Sequence, residues 1–333
     1  SPVGGGQSPS SSILISATTQ LTGGEKEFLL KEGNLSRGAV DMIGDLLNLE
    51  PIFHRSFYSF ILGEVMVPMN DHFDEITGGF DQLPKAFFKE MPGIVHFNSR
   101  VQKVIQSGKK VRVWFHQADK STLSSMTADY VLITATTKAT RLIKFLPPLS
   151  LTKAHALRSF HYTSATKIAL ACTEKFWEKD GIRGGRSITD LPSRTIYYPN
   201  HNFSSGLGII LASYTLHDAA DFFVPLSEEK CIDVVMDDLV EVHQVSKEYL
   251  KSVCTKYVIK WWVLDKFSMA AFSSPTPYQF SHFFKSLSKN QGRIYFAGEH
   301  TAHPHSWMEA AMKSAVRAAS SIHHGTNNIL PAL

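Results

Sequence analysis

The C-terminal part of the sequence contains the feature that most restricts the fold. Residues 293–298 have the pattern of a short buried strand, and a loop leads from them into a helix predicted over about 307–322. Ser306-Trp307-Met308-Glu309 matches a capping box, which marks a helix start. A strand that runs into a helix N-terminus presents free backbone N–H groups and a positive partial charge, which suit an anionic or electron-rich ligand. The same pattern also fits a plain strand–loop–helix unit. The residues expected to face a core are Met308, Ala311, Met312, Ala315, Ala319 and Ile322.

Composition limits the classes of protein to which the chain can belong. The chain has 333 residues, 43% of them hydrophobic and 19% charged, which is enough for more than one core. A net charge of +4 without a dense basic run does not favour nucleic acid as a partner. No uncharged apolar stretch is long enough for a membrane helix, and no signal peptide is visible. Residues 1–25 are rich in Ser, Gly, Thr and Pro, which predicts a flexible leader.

Helical and strand patterns are interspersed along the chain, which predicts an α/β (α+β) fold. Ser36 is the expected N-cap of one early helix. A helix predicted over 80–91 would turn Phe80, Leu83, Phe87 and Phe88 towards a core. The spacing of apolar residues predicts one long helix over 231–250. Strands are predicted at 94–97, 101–105, 110–115, 129–134, 167–172 and 207–214.

The three cysteines are too few for a disulfide scaffold, and no C-x-x-C pair suggests zinc. One disulfide and one free thiol remain possible. Asn34 and Asn202 begin two N-x-[ST] sequons, which weakly favour secretion.

The remaining chemical motifs are few. His300, His303 and His305 could ligate zinc or copper, but Glu299 is the only carboxylate or thiol partner nearby in sequence, so no metal site is expected. A serine hydrolase is disfavoured because no G-x-S-x-G elbow occurs.

The segment 294–299 followed by 305–309 resembles the C-terminal flavin motif of the amine oxidase family. The resemblance narrows to the L-amino-acid oxidases of snake venom and mammals and covers about residues 26–325. It rests further on the segments 38–48, 189–194, 197–202 and 276–280.

The resemblance implies an FAD-linked amine oxidase fold that lacks its N-terminal Rossmann βαβ unit. After the leader, a partial helical domain is expected over 26–82. An FAD-binding domain is expected over 83–150 and 288–328. A substrate-binding domain on a mixed sheet is expected over 151–287.

The resemblance also implies residue roles. Lys167 matches the catalytic lysine that holds a water near flavin N5, Tyr214 the tyrosine that binds the substrate carboxylate, and Trp262 an aromatic wall of the pocket. From the residues alone, a strand-end lysine that reaches solvent is the better interpretation of Lys167, and an ordinary strand-end tyrosine and a core tryptophan fit Tyr214 and Trp262. Val101 and Glu299 match positions that contact the adenine and the ribityl or pyrophosphate part of FAD. The helix start that contacts the flavin ring comprises Ser306, Trp307, Met308, Glu309, Ala310 and Ala311, of which Ser306 and Trp307 also border the substrate.

The implied reaction is FAD-dependent oxidation of L-amino acids, with hydrophobic or aromatic side chains favoured, by O2 to 2-oxo acids, ammonia and H2O2. By resemblance, Cys172 pairs with Cys254 and leaves Cys231 free. Together with glycosylation at Asn34 and Asn202, this pairing favours a secreted or lysosomal protein. The venom relatives also suggest a homo-oligomer.

Several positions depart from the family pattern. No G-x-G-x-x-G motif opens a βαβ unit, and no arginine matches the clamp of the substrate carboxylate. Gly63 falls near the place of a proposed histidine base, Ser306 replaces a glycine, and Ala270-Ala271 replace a glycine pair. The missing unit is expected to leave a sheet edge and apolar surface open. The alternative function is therefore a catalytically inactive paralogue or splice fragment that acts as a binding protein.

Overall fold

The computed structural model describes residues 23–66, 75–201, 203 and 205–324. The predicted leader up to residue 22 and the sequon residue Asn202 lie outside these ranges. The described residues of Ser1–Phe60 and Phe160–His282 form a first compact unit, and those of Ile61–Ser159 and Phe283–Leu333 form a second.

Helices occur in both units. The α-helices are α1 Glu25–Lys31, α2 Arg37–Leu47, α3 Phe57–Met66, α4 Gln82–Glu90, α5 Thr137–Thr140, α6 Leu151–Ser159, α7 His217–Asp221, α8 Glu228–His243, α9 Lys247–Val253, α10 Pro277–Ser288 and α11 Met308–His324. Short 3-10 turns cover Glu50–Ile52, Phe176–Asp180, Trp262–Leu264 and Glu299–Thr301. None of the helices described is long and apolar enough to cross a membrane.

The strands form separate sheets in the two units. They are β1 Ser99–Ser107, β2 Lys110–Gln117, β3 Ser124–Ala128, β4 Val131–Ile133, β5 Lys144–Leu146, β6 Tyr162–Thr163, β7 Ala165–Cys172, β8 Arg186–Ile188, β9 Thr195–Tyr197, β10 Gly208–Leu216, β11 Cys254–Trp261, β12 Phe272–Ser273 and β13 Ile294–Phe296.

The first unit is built on a five-stranded sheet in the order β11-β7-β10-β9-β8. All its pairings are antiparallel, so the mixed sheet expected for the substrate domain was wrong. Strand β7 lies between two partners, and burial alternates along it because successive side chains point to opposite faces. Its Thr166, Ile168, Leu170 and Cys172 are buried, and the last three belong to the core that α8 and α9 cover.

Of the local predictions for the first unit, the helix cap and the disulfide were confirmed, and the long helix was wrong. Ser36 accepts a hydrogen bond from the N–H of Ala39 and caps α2, as predicted. The single helix predicted over 231–250 was wrong, because Gln244 adopts a left-handed conformation and ends α8. Ser246 then caps α9. The predicted disulfide between Cys172 and Cys254 is present and joins β7 to β11, with Cys231 free and buried.

The second unit has a thinner core. Strands β3, β2, β1 and β5 form one sheet, in which only the β1–β5 pairing is parallel. Strands β4 and β13 form a separate parallel pair. The buried apolar residues of this core include Val104, Val111 and Phe296.

Three predictions for the second unit were wrong. Residues 94–97 form no strand, and the apolar side chains Phe80, Leu83, Phe87 and Phe88 on and beside α4 are exposed. The buried face of α11 carries Ala310, Ser314 and Ala318, whereas Met308 and Met312 are exposed, because only small side chains fit where the helix lies closest to its neighbours.

Candidate functional site

The open face of strand β7 places Lys167, the residue expected to be catalytic, beside Tyr214, which is expected to bind the substrate. Because Thr166 and Ile168 point into the core, Lys167 lies on the opposite face. In register, Lys167 lies opposite Tyr214 of β10 and Lys260 of β11. Residues paired directly across strands share one face, so all three side chains project from the same side of the sheet.

Lys167 and Tyr214 are in direct contact. The Lys167 Nζ lies 4.5 Å from the centroid of the Tyr214 ring, a cation–π distance. Although Lys167 keeps exposed surface, desolvation by the surrounding protein lowers the pKa of its ammonium group. Among the described residues no ion pair of Lys167 is found, whereas Lys260 pairs with Asp265 at 2.5 Å. Lys167 can therefore hold a ligand oxygen or a water.

Tyr214 remains a hydrogen-bond donor across the physiological pH range. Burial raises the pKa of its hydroxyl to about 12, and Tyr197, whose ring centroid lies 6.2 Å away, contributes further. A protonated hydroxyl donates to an anion such as a carboxylate.

Trp262 stands beside this pair. It begins the 3-10 turn Trp262–Leu264, which follows β11 directly and packs against β7. The Lys260 Nζ lies 4.8 Å from its ring centroid, so the ring is bordered by the same lysine that pairs with Asp265. Sequence reasoning missed Lys260, Asp265 and Tyr197. Alternating residues on a strand and two tyrosines on neighbouring strands occur in many sheets, so their sequence pattern does not indicate a site.

The second unit contains the C-terminal motif. Strand β13 ends at Gly298, whose φ of 135° is a conformation that side chains other than glycine's rarely adopt. A Cβ there would lie 2.7 Å from the His300 ring. The N–H of Gly298 donates to Ser314 Oγ of α11 at 2.8 Å. Strand, turn and helix are therefore held in one fixed arrangement.

Glu299 faces the start of helix α11. Its Oε2 accepts a hydrogen bond from the N–H of Ser306 at 2.9 Å. The predicted capping box is therefore wrong: Ser306 has a φ of 75°, its N–H is bound by Glu299, and Glu309 pairs with Lys313 instead. A residue that caps by its side chain needs extended backbone, which Ser306 lacks.

The first turn of α11 is open to ligands. Trp307 is 40% exposed and Met308 60% exposed, and Ser306 and Glu309 are exposed as well. Ala310 is fully buried and Ala311 half-buried, so a ligand at this turn would meet the residues before them. Val101 lies in the same unit on β1, beyond the pairing of that strand with β5.

Arg317 stabilises the turn, which sequence reasoning also missed. Its guanidinium donates to the carbonyl of Thr301 at 2.5 Å, to Thr301 Oγ1 at 3.0 Å and to the carbonyl of Phe296 at 3.2 Å. The neighbouring histidines have structural contacts. His305 Nδ1 donates to the carbonyl of Glu299 at 3.1 Å, and His303 stacks on Phe284 with centroids 4.1 Å apart.

The donor set fits part of a flavin site. A carboxylate at Glu299, an exposed helix start and the glycine conformation at Gly298 suit the approach of a polar, aromatic cofactor edge. The structure thus places Lys167, Tyr214 and Trp262 together in one unit, and Glu299, Ser306 and Trp307 together in the other.

The chain belongs to the flavin containing amine oxidoreductase family, whose model matches residues 23–323. Among its relatives are the L-amino-acid oxidases of Bungarus fasciatus, 50% identical over 301 residues, and of Protobothrops flavoviridis, 50% identical over 303 residues. These alignments cover 90% and 91% of this chain but 58% and 60% of the relatives. The chain therefore spans less than two thirds of the length of these curated relatives.

Solved structures agree in fold. A triple mutant of putrescine oxidase with redesigned cofactor binding superimposes with a TM-score of 0.77 over 93% of this chain and 69% of that one, at 16% identity. The double mutant of the same enzyme gives a TM-score of 0.74. At such identity the likeness establishes the amine oxidase fold alone.

Proposed function

We propose that this chain is part of an FAD-dependent L-amino-acid oxidase, which converts L-amino acids to 2-oxo acids, ammonia and H2O2. The relatives at 50% identity support the substrate class. The observation that carries the proposal is the pairing of Lys167 with Tyr214 on the open face of β7, beside Trp262. The carboxylate of an amino acid needs a hydrogen-bond donor, which Tyr214 offers on this face. Its side chain needs an apolar surface, which Trp262 offers.

The chain's residues would bind and orient the substrate. The protonated hydroxyl of Tyr214 donates to the substrate carboxylate, and Trp262 forms an apolar wall that favours hydrophobic or aromatic side chains. Lys167 holds a water, and its lowered pKa eases the movement of a proton through that water. The two-electron chemistry belongs to the flavin, which when bound accepts a hydride from the substrate α-carbon and passes electrons to O2.

FAD would be held by the second unit. Glu299 would accept hydrogen bonds from ribityl or ribose hydroxyls, and the start of α11 from Ser306 to Glu309 would face the flavin ring, with Ala310 and Ala311 behind it. Val101 would contact the adenine through its backbone. The proposed domains remain those of the resemblance, with FAD-binding segments at 83–150 and 288–328, a substrate-binding segment at 151–287 and a partial helical domain at 26–82.

We further propose a secreted homo-oligomer. The buried disulfide Cys172–Cys254 and the exposed sequon residue Asn34 support an oxidising compartment. The comparisons do not support the lysosomal alternative.

The test is the visible absorption spectrum of the purified chain after incubation with FAD and removal of free ligand. Retained flavin bands that bleach under anaerobic L-phenylalanine would support the proposal. Tyr214→Phe should then raise the substrate concentration needed for half-maximal bleaching by about tenfold, the cost of one hydrogen bond to a charged group. Lys167→Met should slow bleaching without loss of flavin. The matched control is Tyr257→Phe, an exposed tyrosine of β11.

A chain that bleaches at the same rate after Lys167→Met and Tyr214→Phe would contradict the proposal. A chain that retains no flavin would be an incomplete piece of an oxidase, and the activity would have to be sought in the full-length product.

A further inference from the structure

Three histidines of the first unit converge although they lie far apart in sequence. His54 follows the 3-10 turn Glu50–Ile52, His161 precedes β6, and His217 begins α7 directly after β10. Each offers a ring nitrogen, and these ligand atoms all lie within 4.8 Å of one another. Within the described ranges, no other three His, Cys, Asp or Glu side chains meet this spacing.

The spacing of one pair of ring nitrogens matches that of ligands in a tetrahedral metal centre. The Nε2 atoms of His54 and His161 lie 3.2 Å apart. In a tetrahedral zinc site with Zn–N bonds of about 2.0–2.1 Å, two nitrogen ligands lie about 3.3–3.4 Å apart. The two rings meet edge to face, with centroids 4.9 Å apart.

The surroundings orient the ring nitrogens as metal sites require. His217 Nδ1 lies 2.8 Å from Asp218 Oδ1 and donates to it, which leaves Nε2 of His217 as the ligand atom. His54 hydrogen-bonds to the backbone of Pro51, which has no N–H and therefore accepts through its carbonyl. Histidines that bind metals usually donate their other N–H to a carboxylate or a backbone carbonyl.

The backbone holds His217 in place. Its φ of 51° is a left-handed conformation that costs energy in a residue other than glycine. Ser164, three residues after His161, secures this conformation: its carbonyl accepts from the N–H of His217, and its Oγ donates to the His217 carbonyl. Strain held in this way at a histidine indicates a functional constraint.

A fourth ligand has room to enter. His54 and His217 line a cavity of about 380 Å³. Glu50 also lines it, so its carboxylate or a water could complete the coordination.

We propose that His54, His161 and His217 form a binding site for a divalent metal ion of the zinc type, with its fourth position open to the cavity. Three imidazoles and an open position favour zinc over magnesium or calcium, which prefer oxygen ligands. Because 107 residues separate His54 from His161, the ion would fasten the helical segment before Phe57 to the sheet of the first unit. Sequence spacing gives no sign of the site, and nothing in the proposed oxidase chemistry requires it.

The test uses the purified, tag-free chain after treatment with EDTA. Titration with ZnCl2 by calorimetry should show one ion bound per chain, and Co²⁺ at the same site should give the visible absorption of tetrahedral coordination. His54→Asn, His161→Asn and His217→Asn should each weaken binding by at least tenfold. Asp218→Asn should weaken it by about tenfold while leaving the ligands intact. The control is His96→Asn, an exposed histidine of the second unit, which should bind as the unaltered chain does.

Unchanged affinity in the three histidine variants, or no stoichiometric binding to the unaltered chain, would overturn the proposal. If a histidine variant does not fold by circular dichroism, the exposed substitution Asp218→Asn and the thermal midpoint of the unaltered chain with and without zinc decide the question. A midpoint that zinc does not raise, with Asp218→Asn binding normally, would also overturn it.

Discussion

The two units of this chain treat their apolar side chains differently. In the first unit, two helices cover one face of a five-stranded sheet, and the core contains large, fully buried residues such as Trp177 and Phe223. In the second unit, a small core lies between short strands, while large apolar side chains stand exposed on α4 and α11. A contiguous exposed apolar surface marks a place that another surface covers, or one that promotes aggregation. Among the described residues, the larger of these two cores therefore belongs to the first unit.

The largest expected effect comes from removing the disulfide of the first unit. Removing the disulfide with Cys172→Ala and Cys254→Ala should destabilise the first unit by about 3–4 kcal/mol, because the bond closes a loop of 82 residues. Urea unfolding followed by tryptophan fluorescence, to which the buried Trp177 contributes, would measure it. A loss below about 1 kcal/mol would show that noncovalent packing alone sets the first unit apart.

A matched pair of leucines tests the packing. Leu239 of α8 is 0% exposed, whereas Leu142 of the second unit is 55% exposed. Leu239→Ala should cost about 3 kcal/mol because it leaves a cavity, and Leu142→Ala should change stability by less than about 0.5 kcal/mol. Equal losses in thermal unfolding would remove the contrast between the units.

Lys153 allows the second unit to be probed by pH. Its ammonium is buried, donates to the carbonyls of Ser286 and Leu287, and lies 3.8 Å from the Phe296 ring centroid. Burial lowers the pKa of Lys153 from 10.5 to about 7, so between these values the unfolded chain binds more protons than the folded chain. The free energy of unfolding should therefore rise with pH in that window, by up to about 1.4 kcal/mol per pH unit. Urea unfolding at several pH values would measure the slope.

The control for this prediction is Lys153→Met, which keeps the volume of the side chain and removes the titration. It should flatten the slope above neutral pH. A slope that persists in the variant would assign the pH dependence to another group.

The smallest expected effect concerns the exposed stripe of α11. Met312→Lys with Val316→Lys should change stability by less than about 0.5 kcal/mol, because both side chains are exposed. The variant should aggregate less, as light scattering would show. Val235→Lys, placed in the buried core of the first unit, is the contrasting substitution and should prevent folding. A large loss of stability on α11 would mean that its outer face is already packed.

Sequence predicted strands in both units, including those at 101–105 and 110–115 of the second, but it predicted burial less well where a core is thin. Where a core is closed, apolar spacing and burial agree, so β7, β10 and the cap at Ser36 were confirmed. Where a core is thin, the same spacing misleads: Met308 and Met312 are exposed, and Ser314 is buried on the other face of α11. The predicted strand at 94–97 failed likewise, since no neighbouring strand among the described residues pairs with it.

The candidate sites, too, could be predicted from the sequence only in part. The motif from Ile294 to Glu309 and the position of Lys167 could be found by resemblance, because each is local in sequence. Contacts that depend on the tertiary fold could not. Arg317 reaches back 16 residues to the turn it stabilises, and His54 meets His161 across 107 residues. Such pairs carry no spacing that a single sequence reveals.

Ser306 has a consequence for how this protein could diversify. A serine occupies a left-handed backbone position that favours glycine, so the surrounding contacts, above all the Glu299 carboxylate, impose the shape. A single codon change can therefore add or remove a hydroxymethyl group at the helix start without altering the path of the chain. Evolution can vary the space in front of α11 in small steps at this position, while the scaffold behind it stays constant.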